Sequence, residues 1–412
     1  MSVAGYVSRE RLWERHMLLA RHGATPANGV NRQALSPEEI AARRELIDWA
    51  KPLGLAPSTD AAGNFFLRME GRDRNAAPVL AGSHLDSQPT GGKFDGVYGV
   101  LAALEAVEAM RESGHAPGRP IEIVAWMNEE GSRFAPGMMG SAAFAGAAPL
   151  AGMLPIRDAK GASVEQELAQ MKAAFPAVPE RELGRPVAAY VEAHIEQGPV
   201  LEKEGFSVGV VTGIQGKRTY RVAVAGAEAH AGTSQRRDRK DALLAATAMI
   251  HALAAELHDE EDVVKFTVGR LDVRPNAPSV VASQAVFSID LRHPDKATLR
   301  RLGDRVAQIC HTNAGPCGVE AEELVTAWPL EFPASMRDEI RRAAGRLGLR
   351  TMDLASAAGH DARYLHYVCP SGMIFVPCKD GISHNEAESA TPEDLHDGAR
   401  VLAETLVTLA ER

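Results

Sequence analysis

Apolar positions in the first half of the chain follow two alternating rhythms. "SPEEIAARRELIDWAKPLG" carries Ser36 and Glu39 in Ser-x-x-Glu spacing and stops at Gly54, which predicts a helix opened by a capping box. "NFFLRME" and "VLAGSHLD" read as strands, and "GVYGVLAALEAVEAMRESG" places Val100, Leu101, Leu104, Val107 and Met110 on one helical face. "IEIVAWM" is a continuous apolar run of the kind that forms a strand buried on both faces, and "AAYVEAHIEQG" reads as a further strand end. Strands alternating with helices predict an open α/β sheet.

The texture changes near residue 213. Strand "RTYRVAVAG", helix "RKDALLAATAMIHALAAEL", strands "VVKFTVGRLDV" and "ASQAVFSIDLR", helix "DKATLRRLGDRVAQIC" and strand "GVEAEELVTA" follow in turn. That order, βαββαβ, is a ferredoxin-like unit complete in itself. The α/β rhythm then resumes with helix "SMRDEIRRAAGRLG", apolar run "GMIFVP" and terminal helix "PEDLHDGARVLAETLVTLAER". The expected layout is a discontinuous α/β domain, 1–212 with 328–412, interrupted by an inserted domain at 213–327.

Composition narrows the class of protein. At 412 residues, 45% apolar and 24% charged, the chain suits a globular enzyme with more than one core. A formal net charge of -9 argues against nucleic acid or an acidic membrane as the main partner. No apolar run could span a bilayer, the N-terminus has no signal core, and Cys310, Cys317, Cys369 and Cys378 form no CxxC pair. A cytoplasmic location with reduced thiols is expected.

Four strand-like runs end in residues capable of binding metal. The first delivers His84 and Asp86, with Asp95 opening the next helix; "IEIVAWM" leads to Glu129 and Glu130; "AAYVEAH" ends in His194; "MIFVP" leads to His384. In open α/β sheets, sites lie outside the carboxyl ends of the strands, so these distant residues can converge on one crevice. A lone strand-end histidine is usually a surface residue, and an adjacent Glu-Glu pair is usually a solvated loop. The joint occurrence favours a shared site. Imidazoles mixed with carboxylates suit zinc, manganese, cobalt or nickel, and Asp95 could bridge two ions.

"GSHLDSQPTGGKFDGVYGV", "NEEGSRF", "HIEQGP", "GIQGKR", "AHAGTS", "DLRHPD", "GHDA" and "FVPCKDGISHNEAE", in order from residue 81 to 387, resemble the hydantoinase/carbamoylase branch of the M20 dinuclear metallohydrolases. That branch contains N-carbamoyl-L-amino-acid hydrolases, β-ureidopropionases and allantoate amidohydrolases. The resemblance implies two divalent ions (Zn2+, Mn2+, Co2+ or Ni2+), one at His84, Asp95 and His194 and one at Asp95, Glu130 and His384. It implies Glu129 as general base, and Asp86 as the residue that holds the His84 imidazole in its metal-binding tautomer. It further implies a homodimer whose inserted domain serves as lid and dimerisation domain, with His230 reaching the substrate oxyanion of the partner's site. Arg292 would clamp the substrate carboxylate, with Gln197, Asn276, Gly359 and His360 as further substrate-binding residues.

Two departures bear on specificity. Ser279 stands in "NAPSVV" where the branch has a second asparagine, and after His230 "TSQRR" replaces the usual threonine-proline-methionine pattern, placing Arg236 and Arg237 near the expected lid tip. A hydroxyl is shorter than a carboxamide and cannot reproduce its donor-acceptor pair. Neither change touches the expected metal ligands. The implied activity is hydrolysis of the carbamoyl C–N bond of an N-carbamoyl-L-amino acid or N-carbamoyl-β-amino acid, giving amino acid, carbon dioxide and ammonia. Allantoate hydrolysis is the runner-up, followed by an M20 peptidase and a non-catalytic binding protein.

Overall fold

Four strands whose every residue is buried form the centre of a mixed sheet: Ile121–Trp126, Val79–His84, Ala189–Ile195 and Ser371–Val376, in that spatial order and all parallel. Their continuous apolar composition suits burial on both faces. Strands Phe65–Met69 and Val208–Ile214 flank them antiparallel. On one face Val79, Ala81, Ile123, Val191 and Ile374 join a core with helices Val97–Glu112 and Pro392–Ala410. Because the four strands are parallel, their carboxyl ends share one sheet edge, and the loops carrying chemistry leave from that edge. This is the α/β architecture that the apolar rhythm predicts.

The computed structural model describes residues 2–412, and these divide into two compact units, 2–212 with Phe332–Arg412 and Gly213–Glu331. In the second unit the sheet order is Leu271–Arg274, Gln284–His293, Gly216–Ala225, Gly318–Ala327, with every neighbour antiparallel. Alternate residues Tyr220, Val222, Val224, Phe287, Ile289 and Leu291 pack under helices Ala242–Glu256 and Lys296–Thr312.

Local expectations needed correction in two places. "VVKFTVGRLDV" is not one strand but two, Lys265–Thr267 and Leu271–Arg274, both paired with Gln284–His293. Gly269 lies in the break, where a glycine inside a strand commonly marks irregular pairing. The capping box at Ser36 is half made. Ser36 accepts from the Glu39 amide at 3.2 Å, but the Glu39 carboxylate accepts from Leu35 N–H and pairs with buried Arg43 at 2.6 Å. The Ser36 N–H that a full box would engage donates instead to the Gln33 carbonyl at 3.1 Å. Among the described residues, no helix is long and apolar enough to cross a membrane.

Candidate metal centre

The Val79–His84 strand ends by presenting the His84 ring, and the chain returns at Asp95 just before helix Val97–Glu112 begins. Gly96, with φ +67°, opens that helix against the His84 ring, and a Cβ there would lie 2.3 Å from the imidazole. Only glycine supplies both the backbone conformation and the space. His194 comes from the neighbouring parallel strand, and Glu129 and Glu130 from the turn after Ile121–Trp126. His384 comes from the loop after Ser371–Val376.

These residues form two donor groups that share one carboxylate. In each group, His84, Asp95, His194 and Asp95, Glu130, His384, the donor atoms lie within 4.8 Å of one another. Asp95 Oδ1 is 3.7 Å from His84 Nε2 and 3.2 Å from His194 Nε2. Its Oδ2 is 3.2 Å from His384 Nε2, which is itself 3.4 Å from Glu130 Oε2. Glu129 Oε2 stands 3.6 Å from His84 Nε2 and belongs to neither group. Apart from His384, whose side chain is 51% exposed, the donor side chains of both groups are covered, Glu130's being 4% exposed, so the centre opens to solvent beside His384. His384 and Gln197 both hold left-handed backbone, with φ of 53° and 56°. Non-glycine residues persist there only when their surroundings hold them.

Main-chain carbonyls set the imidazole tautomers. His84 Nδ1 donates to Asp86 O and His194 Nδ1 to Ile195 O, each at 2.9 Å, which directs both Nε2 atoms toward Asp95. Burial holds His84 down to about 4, so it is neutral at pH 7. Burial also lowers His194, but the hydrogen bond and charge of Asp95 outweigh it and raise that ring to about 9. The hydrogen bond it donates to Asp95 raises His384 to about 9 as well. Burial, followed by the charge of Asp95, raises Glu130 to about 8. Burial, then the carboxylates of Asp361, Glu130, Asp86 and Asp95, holds Glu129 well above the usual range. Protons thus occupy positions where cations would balance the same charges, and the mixed nitrogen and oxygen donors fit divalent transition metals.

Residues 80–408 match the sequence profile of Peptidase family M20/M25/M40. The chain belongs to this family, in its hydantoinase/carbamoylase branch. It is 38% identical over 410 residues to an N-carbamoyl-L-amino-acid amidohydrolase of Rhizobium meliloti, covering 98% of this chain and 97% of the relative. Against an allantoate amidohydrolase of Escherichia coli the identity is 35% over 412 residues, with 98% of each chain covered. A crystal structure of a hydantoinase/carbamoylase family amidase from Burkholderia multivorans matches with a TM-score of 0.90 at 42% identity, again over 98% of each chain. M20 proteins are metal-dependent hydrolases, in agreement with the two donor groups.

Within this M20 centre, several residues differ from expectation. The Asp86 carboxylate is 3.6 Å from His84 Nδ1, beyond hydrogen-bond reach. It accepts instead from the amides of Glu129 and Glu130, each at 3.2 Å, so it holds the acidic turn while its own carbonyl holds His84. His360, expected at substrate, is 1% exposed; its ring lies 4.6 Å from that of His194 and its Nε2 is 2.8 Å from Ser356 Oγ. That position buttresses His194 and faces no open space. Gly359 packs on Met138. Gln197 donates to Asp95 Oδ2 and to Ser383 Oγ, each at 3.0 Å.

Behind the centre is a buried polar layer that sequence reasoning missed. Glu192 accepts from Ser83 Oγ at 2.6 Å and from Ala362 N–H at 2.8 Å, and Asp361 accepts from Ser141. Glu192 also groups with His194 and His360. Its signal was a charged residue two positions before His194, inside a wholly buried strand.

The remaining candidates lie in the second unit. His230 is exposed, and its Nδ1 accepts from the amides of Gly232 and Thr233, each at 3.0 Å, so Nε2 carries the hydrogen. Val280 pairs with His230, and Ser279 O accepts from Ala231 N–H at 3.1 Å, which brings Ser279 beside His230. Asn276 is exposed with φ 57°. Arg292 is forked onto Asp290 at 2.8 and 3.0 Å near the far end of the Gln284–His293 strand.

Proposed function

We propose that this enzyme hydrolyses the carbamoyl C–N bond of N-carbamoyl-L-amino acids or N-carbamoyl-β-amino acids. The observation that carries the reading is a pair of donor groups sharing Asp95, with Glu129 beside them and outside both. His84, Asp95 and His194 would hold one divalent ion, and Asp95, Glu130 and His384 a second. Bound there, the ions would polarise the ureido carbonyl and acidify water. Glu129, its carboxyl held well above the usual range by burial and neighbouring carboxylates, takes a proton from the attacking water and returns it to the leaving nitrogen. The His230 Nε2–H donates to the developing oxyanion, and the Arg292 guanidinium holds the substrate carboxylate.

The second unit's own geometry supports a shared site in a homodimer. His230, Asn276 and Ser279 lie toward the Gln284 end of the sheet, whereas Arg292 lies eight residues along the same strand, about 26 Å away at 3.3 Å per residue. One small ureido acid cannot touch both ends of one copy. Delivery of His230 to the partner's site, while Arg292 serves the dimer's other site, resolves this.

Allantoate is the second reading, supported by the full-length similarity to the Escherichia coli allantoate amidohydrolase. A panel of N-carbamoyl-α-amino acids, N-carbamoyl-β-amino acids, allantoate and dipeptides, assayed for ammonia and for free amine, tests both. Turnover of the carbamoyl acids is expected. Turnover of allantoate alone would move the assignment, and turnover of dipeptides alone would overturn it.

A further inference from the structure

Glu388 is buried, takes part in neither donor group, and touches both loops that carry the shared carboxylate and His384. Its Oε1 accepts from Phe94 N–H at 2.9 Å and from Asp95 N–H at 3.1 Å. Its Oε2 is 3.1 Å from Ser383 Oγ. Gly92 makes the room: a Cβ there would lie 2.1 Å from the Glu388 carboxylate. Gly92 in "TGGKFDG" therefore serves a side chain that arrives from nearly 300 residues later (|i−j| is 294 for the Phe94 contact).

Ser383 decides what this contact does. Its Oγ accepts from Gln197 Nε2 at 3.0 Å and lies 3.1 Å from Glu388 Oε2 but 3.3 Å from Asp95 Oδ2. A hydroxyl has one hydrogen and can give it to only one of these oxygens. Asp95 Oδ2 faces His384 and already accepts from Gln197 Nε2 at 3.0 Å, so its remaining lone pair is the one the second ion needs.

We infer that Glu388 is a positioning residue that draws the Ser383 hydrogen away from Asp95 Oδ2 and so keeps that lone pair available to metal. This rests on the dimetal reading above and extends it to two residues outside the ligand set. The near-isosteric Glu388→Gln tests it. With its amide oxygen turned to the Phe94 and Asp95 N–H groups, the glutamine offers NH2 to Ser383 Oγ. The hydroxyl must then donate to Asp95 Oδ2 and compete with the ion.

The measurement is calorimetric titration of chelator-stripped full-length protein with Mn2+ or Zn2+, with a circular dichroism melt to verify folding. One of the bound ions should weaken by about 10–100-fold in Glu388→Gln, the usual cost of disturbing a partner of a metal ligand. Adding Ser383→Ala should recover most of that loss, because no hydroxyl remains to compete. Wild-type-like binding by Glu388→Gln overturns the inference, as does a double variant as weak as the single one, which would make Glu388 merely structural. If Glu388→Gln does not fold, Gly92→Ala displaces the same carboxylate. It should weaken the ion in the same way and be rescued by Ser383→Ala, and unchanged affinity overturns the inference. Wild-type protein that binds no divalent ion would sink the dimetal reading itself, a result distinct from these.

Discussion

Asp95→Asn removes the charge that both donor groups share, and its first consequence should be visible without any metal. In the metal-free protein Asp95 raises fully buried His194 from 6.5 to about 9. At about 1.4 kcal/mol per pKa unit, that shift corresponds to about 3 kcal/mol of proton-linked stability. A raised histidine contributes fully below its unfolded pKa and loses the contribution as pH climbs through its folded pKa. Stability of the stripped wild type should therefore fall by about 3 kcal/mol between pH of about 6.5 and 9.5 from His194 alone. Glu130, raised to about 8, acts in the same direction in the lower part of that window. In Asp95→Asn the counter-charge is gone, burial pushes His194 toward its neutral form, and the slope should become shallower. Urea unfolding of both stripped proteins at several pH values measures the difference. The same protons must leave when metal enters, so metal affinity should rise with pH up to about 9 in the wild type. A stripped wild type whose stability is level or rising across the window, or a variant with an equal slope, would refute the reasoning.

Glu129→Gln should keep both ions by elemental analysis but lose turnover by roughly 100-fold or more, the effect of deleting a general base. Glu130→Gln should instead lose occupancy of one ion, and the reverse pattern would exchange the two roles. Arg292→Lys should lose most of kcat/KM, because an ammonium cannot reproduce the guanidinium fork; an unchanged value removes Arg292 from the site. Mixing inactive His230→Ala and Glu129→Gln chains should restore roughly a quarter of wild-type activity after subunit exchange, since about half the dimers are mixed and each holds one intact site. No recovery after verified exchange contradicts the shared site.

The parallel core was legible because a strand buried on both faces has to be continuously apolar, as "IEIVAWM" is, and its polar outlet then stands out. His84, Asp95, Glu130, His194 and His384 were found by that contrast, and the structure gathers all five. What stayed hidden depends on contacts between distant segments. The Asp86 side chain could not be separated from its own carbonyl as the partner of His84, because only the loop path fixes which of them meets Nδ1. His360 was expected at substrate, and only its ring, edge-on to that of His194, shows the supporting position. Glu388 sat in plain view within "HNEAE", but its value depends on Gly92 and the Phe94–Asp95 amides. The split of "VVKFTVGRLDV" is a tertiary effect of the same kind: both halves pair with one strand, and the apolar pattern records only which face they use.

Carbon-13 NMR of an N-carbamoyl-L-amino acid labelled at the ureido carbon tests the central claim most directly. The metal-loaded enzyme should convert the label to bicarbonate while releasing ammonia and free amino acid in equal amounts. Retention of the label in the carbamoyl acid, by enzyme shown to carry its metals and to hydrolyse another amide, would contradict the account.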